Sequence, residues 1–336
     1  MTHRENMERI FRHEQPEWIP HLGSETYGIR DYIVERPIMT TGYDAWGCYW
    51  ISCPNSLNIT HPDTSTVILE DVEDWREKVI FPDMDAIDFS SMVEEAKAFT
   101  DRESKMLQYV SLNGIFERSH CLMGFENALC QALMEPEEYG ALLEAIADHK
   151  IRLYKKVYEI CQPDILVYHD DLAMQIGPFF PQDFYDTYIF PQLKRIVDAA
   201  REIGYKYVVH HCCGKIEPLI SSWLECGFDG WDSVMPCNDL PAIKAQYGDR
   251  MVFMPGLDTQ KVLGPRTSTR SDIEKMVVRW MEMLAGDGKG LIIDSTLAYS
   301  LNPFNEKICL EFIQKHGKAF MDAKKTGVPY IPTYEE

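Results

Sequence analysis

Short apolar runs rich in β-branched and aromatic residues recur along the chain, each followed by a longer stretch with apolar positions three and four apart. The runs cover 18–22, 107–112, 165–169, 206–211, 230–234, 251–254 and 291–293. Their length and composition predict buried strands, and the stretches between them predict amphipathic helices. The clearest helix begins at Pro136 among Glu135, Glu137 and Glu138, because proline fits a first helical turn and acidic side chains complement its partial positive charge. Its apolar stripe is Leu142, Ile146, His149, Leu153, Val157 and Ile160, and its polar face carries Lys150, Arg152, Lys155 and Lys156. Further helices are predicted over 182–202, 217–226, 271–285 and 303–315.

Strand alternating with helix implies an α/β protein with a parallel sheet. At 336 residues, either a closed eight-stranded barrel or an open doubly wound sheet would serve. No Gly-x-Gly-x-x-Gly follows the first strand, which counts against a dinucleotide fold. Seven strands are visible, and an eighth is expected near 65–69. The segment 43–58 has aromatic and turn residues without helical period, and it reads as an N-terminal hairpin or lid over one mouth of the barrel. No Gly/Ser-rich or Pro-rich linker divides the chain, so one domain over 1–336 is expected.

Hydrophobic residues make up 45% and charged residues 26%, ordinary values for a folded chain. The net charge of -20, from 53 acidic and 33 basic residues, repels nucleic acid and anionic membrane surfaces, and neither is expected as a partner. Ten irregularly spaced cysteines, two of them adjacent, do not suit a disulfide scaffold. The charged first residues lack a signal peptide's apolar stretch, so a cytoplasmic location is expected.

In parallel α/β folds functional groups collect where strands end. Four clusters qualify: His21 with Glu25, Tyr168-His169-Asp170-Asp171, His210-His211-Cys212-Cys213, and Asp294-Ser295-Thr296. Side chains two apart on a strand share a side, so His211 with Cys213, or His210 with Cys212, can reach one metal ion. Alternation alone leaves both registers open, and a core of buried thiols competes with either. Imidazole with thiolate suits zinc, which needs a third protein ligand in a catalytic site. Alternation likewise sends His169 and Asp171 one way, Tyr168 and Asp170 the other, where an aspartate could move a proton, orient a metal-bound histidine or cap a helix. Asp258 and Gln260, beyond Gly256, could touch substrate, and Asp44, Trp46 and Trp50 could form an aromatic wall. Nucleophile-elbow, phosphate-loop and His-Glu-x-x-His patterns are missing.

Taken in order, these signals resemble the uroporphyrinogen decarboxylase superfamily, and within it the corrinoid-dependent methyltransferase branch. The resemblance rests on His169-Asp170-Asp171-Leu172 with Gly177-Pro178 and Pro181, and on His211-Cys212-Cys213-Gly214 with Pro218-Leu219-Ile220. It continues in Asp239-Leu240 with Lys244 and Tyr247-Gly248, and in Gly256-Leu257-Asp258-Thr259-Gln260, with a weaker extension to Asp44-x-Trp46-Gly47. It implies a (β/α)8 TIM-type barrel and a zinc held by His211 and Cys213, since Cys213 precedes the glycine. The arginine-rich signature of the decarboxylases proper has no counterpart around Arg12-His13-Glu14-Gln15.

Thiol-methylating members supply a third ligand, a cysteine whose position falls near Thr296 here, yet no cysteine occurs between Cys237 and Cys309. The resemblance then leaves the third position to Asp294 or Glu25, with His21 and His169 as further options. A single thiolate leaves zinc a stronger Lewis acid, which favours an ether or hydroxyl oxygen over a thiol. The implied function is O-demethylation of a small methylated substrate, an aryl methyl ether first, with the methyl group passing to a corrinoid on a partner protein. Asp170, Asp171, His169 and Tyr168 would hold the substrate or protonate its leaving oxygen, and Asp258, Gln260, Trp46 and His210 would line the pocket. Thiol methylation, tetrapyrrole decarboxylation and a non-catalytic ligand-binding barrel are the alternatives. Homo-oligomerisation stays open.

Overall fold

A computed structural model describes residues 1–30, 32–37, 39–53, 59–295 and 302–334. Six parallel strands form one sheet in the order Thr26–Arg30, Met106–Ser111, Ile165–His169, Tyr207–His211, Gly230–Asp232 and Val252–Met254. Two parallel bridges carry the ladder onward, from Phe253 to Leu291 and from Ile293 to His21. His21 and Thr26, at opposite ends of this ladder, are joined by the single helical turn Leu22–Glu25. The chain thus links the two ends of the ladder, and eight parallel β segments among the described residues line a barrel. The eighth is Thr26–Arg30, whereas 65–69 lies in turns and bends. Five residues interrupted by Gly28 gave too short an apolar run to stand out.

Alternation sorts the strand residues into two cores. Met106, Ile165, Val167, Val209, Val252, Met254 and Ile292 fill the barrel, and Met7, Ile10 and Phe11 of the helix His3–Phe11 join them from below. Phe11 stacks on Tyr207 with ring centroids 4.0 Å apart, so this helix plugs the N-terminal end. The intervening residues, among them Leu107, Tyr109, Leu166, Tyr168, Val208 and Trp231, face the surrounding helices.

The helix Pro136–Cys161 forms as its period predicts, with one departure. Lys150, expected on the solvent face, is fully buried and pairs with Glu35 at 2.7 Å while donating to the Leu112 carbonyl at 2.7 Å. A layer that the helix's own period cannot see covers that face. The segment expected as a hairpin is a three-stranded antiparallel sheet, Gly42–Tyr43, Tyr49–Cys53 and Ile59–Pro62, with 54–58 outside the described residues. Asp44 pins it by accepting from the Trp46 and Cys48 backbones and from the Trp50 indole. Trp46 and Trp50 are 3% and 1% exposed, so they pack the sheet down and present no wall to a substrate. None of the helices, among the described residues, is long and apolar enough to cross a membrane.

Candidate metal centre at the barrel mouth

Cross-strand register places Tyr168 beside His210, and His169 beside His211, which in turn sits beside Asp232. Val167 and Val209 point into the barrel, so two residues later His169 and His211 do as well. Just past the end of the strand, Cys213 keeps to the same side, its Sγ 3.9 Å from His211 Nε2. His210 and Cys212 face the other way. His210 is fully buried between Trp223 and Phe228, at ring separations of 4.2 and 4.9 Å, and burial depresses its pKa to about 3. It is a neutral core histidine with no path to a substrate.

Tyr168 and Asp170 also face outward, and their task is local. The Asp170 carboxylate accepts from the backbone N–H groups of Phe116 and Glu117 and from the Tyr168 hydroxyl, while that hydroxyl accepts from the Ile115 N–H. Together they cap the helix Ile115–Met123. The fit requires Gly114, where a Cβ would stand 2.3 Å from Asp170 Cβ. Burial, reinforced by the Glu117 charge, pushes the Asp170 carboxyl up to about 7.

The cap delivers Glu117, a residue the sequence reading missed, to the barrel mouth. Its Oε2 lies 2.9 Å from His169 Nδ1. Burial would raise its pKa, but the neighbouring His169, His120 and His211 hold the carboxyl down at about 2. The His169 ring stacks on His211 at 3.9 Å. His211 Nδ1 meets Asp232 Oδ2 at 2.7 Å. Burial opposes the imidazolium, yet Asp232 and Cys213 outweigh it and raise the His211 pKa well above its ordinary value. Asp171 Oδ1 accepts the Cys213 N–H at 2.6 Å, and Cys213 Sγ lies 3.2 Å from Ser233 Oγ. Gly214 follows at φ +92°, where a Cβ would meet the Ala173 carbonyl at 2.5 Å.

Asp171, His211 and Cys213 offer donor atoms within 4.8 Å of one another, the one such trio among the described residues. The donor set fits zinc. Asp232 occupies His211 Nδ1, which leaves Nε2 as the ligand atom, the arrangement by which carboxylates orient metal-bound histidines. Ideal zinc bond lengths at a tetrahedral angle put N and S about 3.6 Å apart, close to the separation here. The third ligands expected from sequence are not grouped with them. Glu25 spends its oxygens on His3 and Trp18, at 2.7 and 2.9 Å. Asp294 follows Ile293 on the far side of the ladder, its N–H on the Pro255 carbonyl, and His21 Nε2 lies 2.6 Å from Ser295 Oγ. Position 296 is outside the described residues. Asp258 caps the turn Thr259–Leu263 by accepting from Lys261 N–H and lines an outer cleft, Gln260 is exposed, and neither belongs to this cluster.

A methyltransferase from Methanosarcina mazei shares the fold over 94% of this chain and 99% of its own, with a TM-score of 0.72 at 12% identity. A B12-independent methionine synthase from Shewanella sp. W3-18-1 aligns more loosely, at 12% identity and a TM-score of 0.45 over 80% of this chain and 74% of its own. Among curated proteins none matches significantly in sequence. The family model of uroporphyrinogen decarboxylase (URO-D) matches residues 62–298, from the edge of the three-stranded sheet past the last barrel strand. A match over most of the length, on a barrel of this topology, places the chain in the uroporphyrinogen decarboxylase family.

Proposed function

We propose that this protein is a zinc-dependent methyltransferase that transfers the methyl group of a small methylated substrate, an aryl methyl ether foremost, to a corrinoid carried by a partner protein. The supporting observation is the convergence of His211 Nε2, Cys213 Sγ and the Asp171 carboxylate at the barrel mouth. Zinc bound there would supply a Lewis acid for the substrate's heteroatom. Around it, Asp232 keeps the proton on His211 Nδ1, and Glu117 fixes His169 so that its other nitrogen can serve the leaving oxygen. An oxygen donor in place of a second thiolate favours an ether over a thiol. Tetrapyrrole decarboxylation is disfavoured, because the mouth carries Glu117, Asp171 and Asp232 and the adjacent Arg118 is consumed by Glu35 and Asp44. The M. mazei structure, itself called a methyltransferase, is consistent with this reading.

Metal analysis of the purified protein should find about one zinc per chain, lost in Cys213→Ala. Methyl transfer should then be assayed with a reduced corrinoid protein and a panel of methoxylated aromatics, methylamines and thiols. A parent protein free of zinc after preparation in zinc-containing medium would overturn the proposal.

A further inference from the structure

A cleft of about 720 Å³ opens outside the barrel, between the loops that follow the strands Gly230–Asp232 and Val252–Met254 and the helix Arg270–Ala285. Leu240, Val262, Met276 and Trp280 give it an apolar floor. Lys261, Lys275 and Arg279 stand at its edge, exposed, and none forms an ion pair among the described residues. In a chain of net charge -20 three cations thus share one rim, Lys275 with its Nζ 5.9 Å from the centre of the Tyr334 ring. The two lining carboxylates offset it only in part: Asp258 and Asp272 hold caps, accepting from Lys261 N–H and from the Thr269 N–H and hydroxyl, and three cations against two acids leave the lining net positive. The volume falls in the range of sites that enclose a small organic molecule.

We infer that this cleft binds an amphipathic organic anion, a flat apolar body carrying a sulfonate, carboxylate or phosphate group, at a site separate from the candidate metal centre. The floor would take the body and the cationic rim the charged group. The wall also touches the loop of Cys213: Asn238 donates to the Gly214 carbonyl at 2.8 Å and accepts from Ile216 N–H at 2.9 Å. A ligand in the cleft therefore leans on the segment that positions the thiol.

Fluorescence titration of the full-length protein with 8-anilinonaphthalene-1-sulfonate tests the site. Saturable binding should weaken by about tenfold in the double variant K261E/R279E and be blocked in S268W, which fills the cleft without changing charge. Inorganic phosphate, lacking the apolar body, should fail to displace the probe. Unchanged binding in both variants, or displacement by phosphate at equal concentration, overturns the inference. Zinc content and methyl transfer in K261E/R279E should match the parent, so the outcome is independent of the function proposed above.

Discussion

Glu117 and Arg118 are neighbours on one helix, yet they enter two clusters of buried charge that behave differently. Arg118 turns outward, where it meets Glu35 at 2.5 Å and Asp44 at 2.7 Å, while Lys150 meets Glu35 from the other side. All four side chains are fully shielded from solvent. Every charge there is answered by another, which ties the three-stranded sheet to the barrel but leaves nothing to offer a ligand. Glu117 turns inward, where pairings run as a chain: Glu117 to His169, His169 stacked on His211, and His211 to Asp232. That chain ends at His211 Nε2 and Cys213 Sγ, whose 3.9 Å separation is the loosest polar contact of the set. Similar residue types thus build a strut in one place and a ligand-ready end in the other, and the difference lies in which polar atoms remain to be satisfied.

Substitutions can break this contrast on either side. The largest effect is expected at the ligands: His211→Ala or Cys213→Ala should abolish zinc retention and lower methyl transfer beyond the roughly 100-fold typical of losing a supporting residue, and Cys213→Ala, which strands no charge, should leave the urea midpoint of the metal-free protein little changed. In the outer cluster, Glu35→Ala should cost about 3–5 kcal/mol in urea unfolding by stranding Arg118 and Lys150, yet zinc content per folded molecule should hold. Zinc loss there would erase the distinction between the clusters. Asp232→Asn should weaken zinc affinity by about 10–100-fold, read by chelator competition, with the fold intact.

The smallest effect concerns pH. His149, beside the outer cluster, is fully buried, and burial holds its pKa at about 3. Between that value and the ordinary histidine range the unfolded chain takes up a proton that the folded chain refuses. Stability present above about pH 6.5 is therefore lost as pH falls, by up to about 1.4 kcal/mol per pH unit. His149→Phe should flatten that slope in unfolding curves taken between about pH 4 and 6.5, and an unchanged slope would show that another group sets it.

The barrel was legible because a parallel α/β barrel repeats its apolar runs at regular intervals, and seven of its eight β segments announced themselves. Thr26–Arg30 did not, since one helical turn separates it from the preceding segment and no strand-helix alternation marks it. At the site, strand parity offered His211 with Cys213 or His210 with Cys212, and only the family resemblance chose the first pair. Glu117 was not readable, because its place depends on a helix start fixed by Asp170 and Tyr168 more than fifty residues away. The only local hint was Asn113-Gly114 at a strand end, with an acid three residues on. Asp170 illustrates the converse: an acid at a strand end resembles a proton carrier until its carboxylate is seen spent on backbone N–H groups. Lys150 and Trp46 were misjudged for a shared reason, namely that a third layer covers surfaces which helix period and loop composition assign to solvent.

The plug of Met7, Ile10 and Phe11 has a consequence for traffic. With the floor sealed by Phe11 against Tyr207, whatever reaches His211 arrives through the same doorway that a bulky carrier would have to cover. On the proposed function, a small reactant would have to be aboard before its carrier settled and the spent product would have to wait for departure, which would make the sequence of arrivals a property of the architecture.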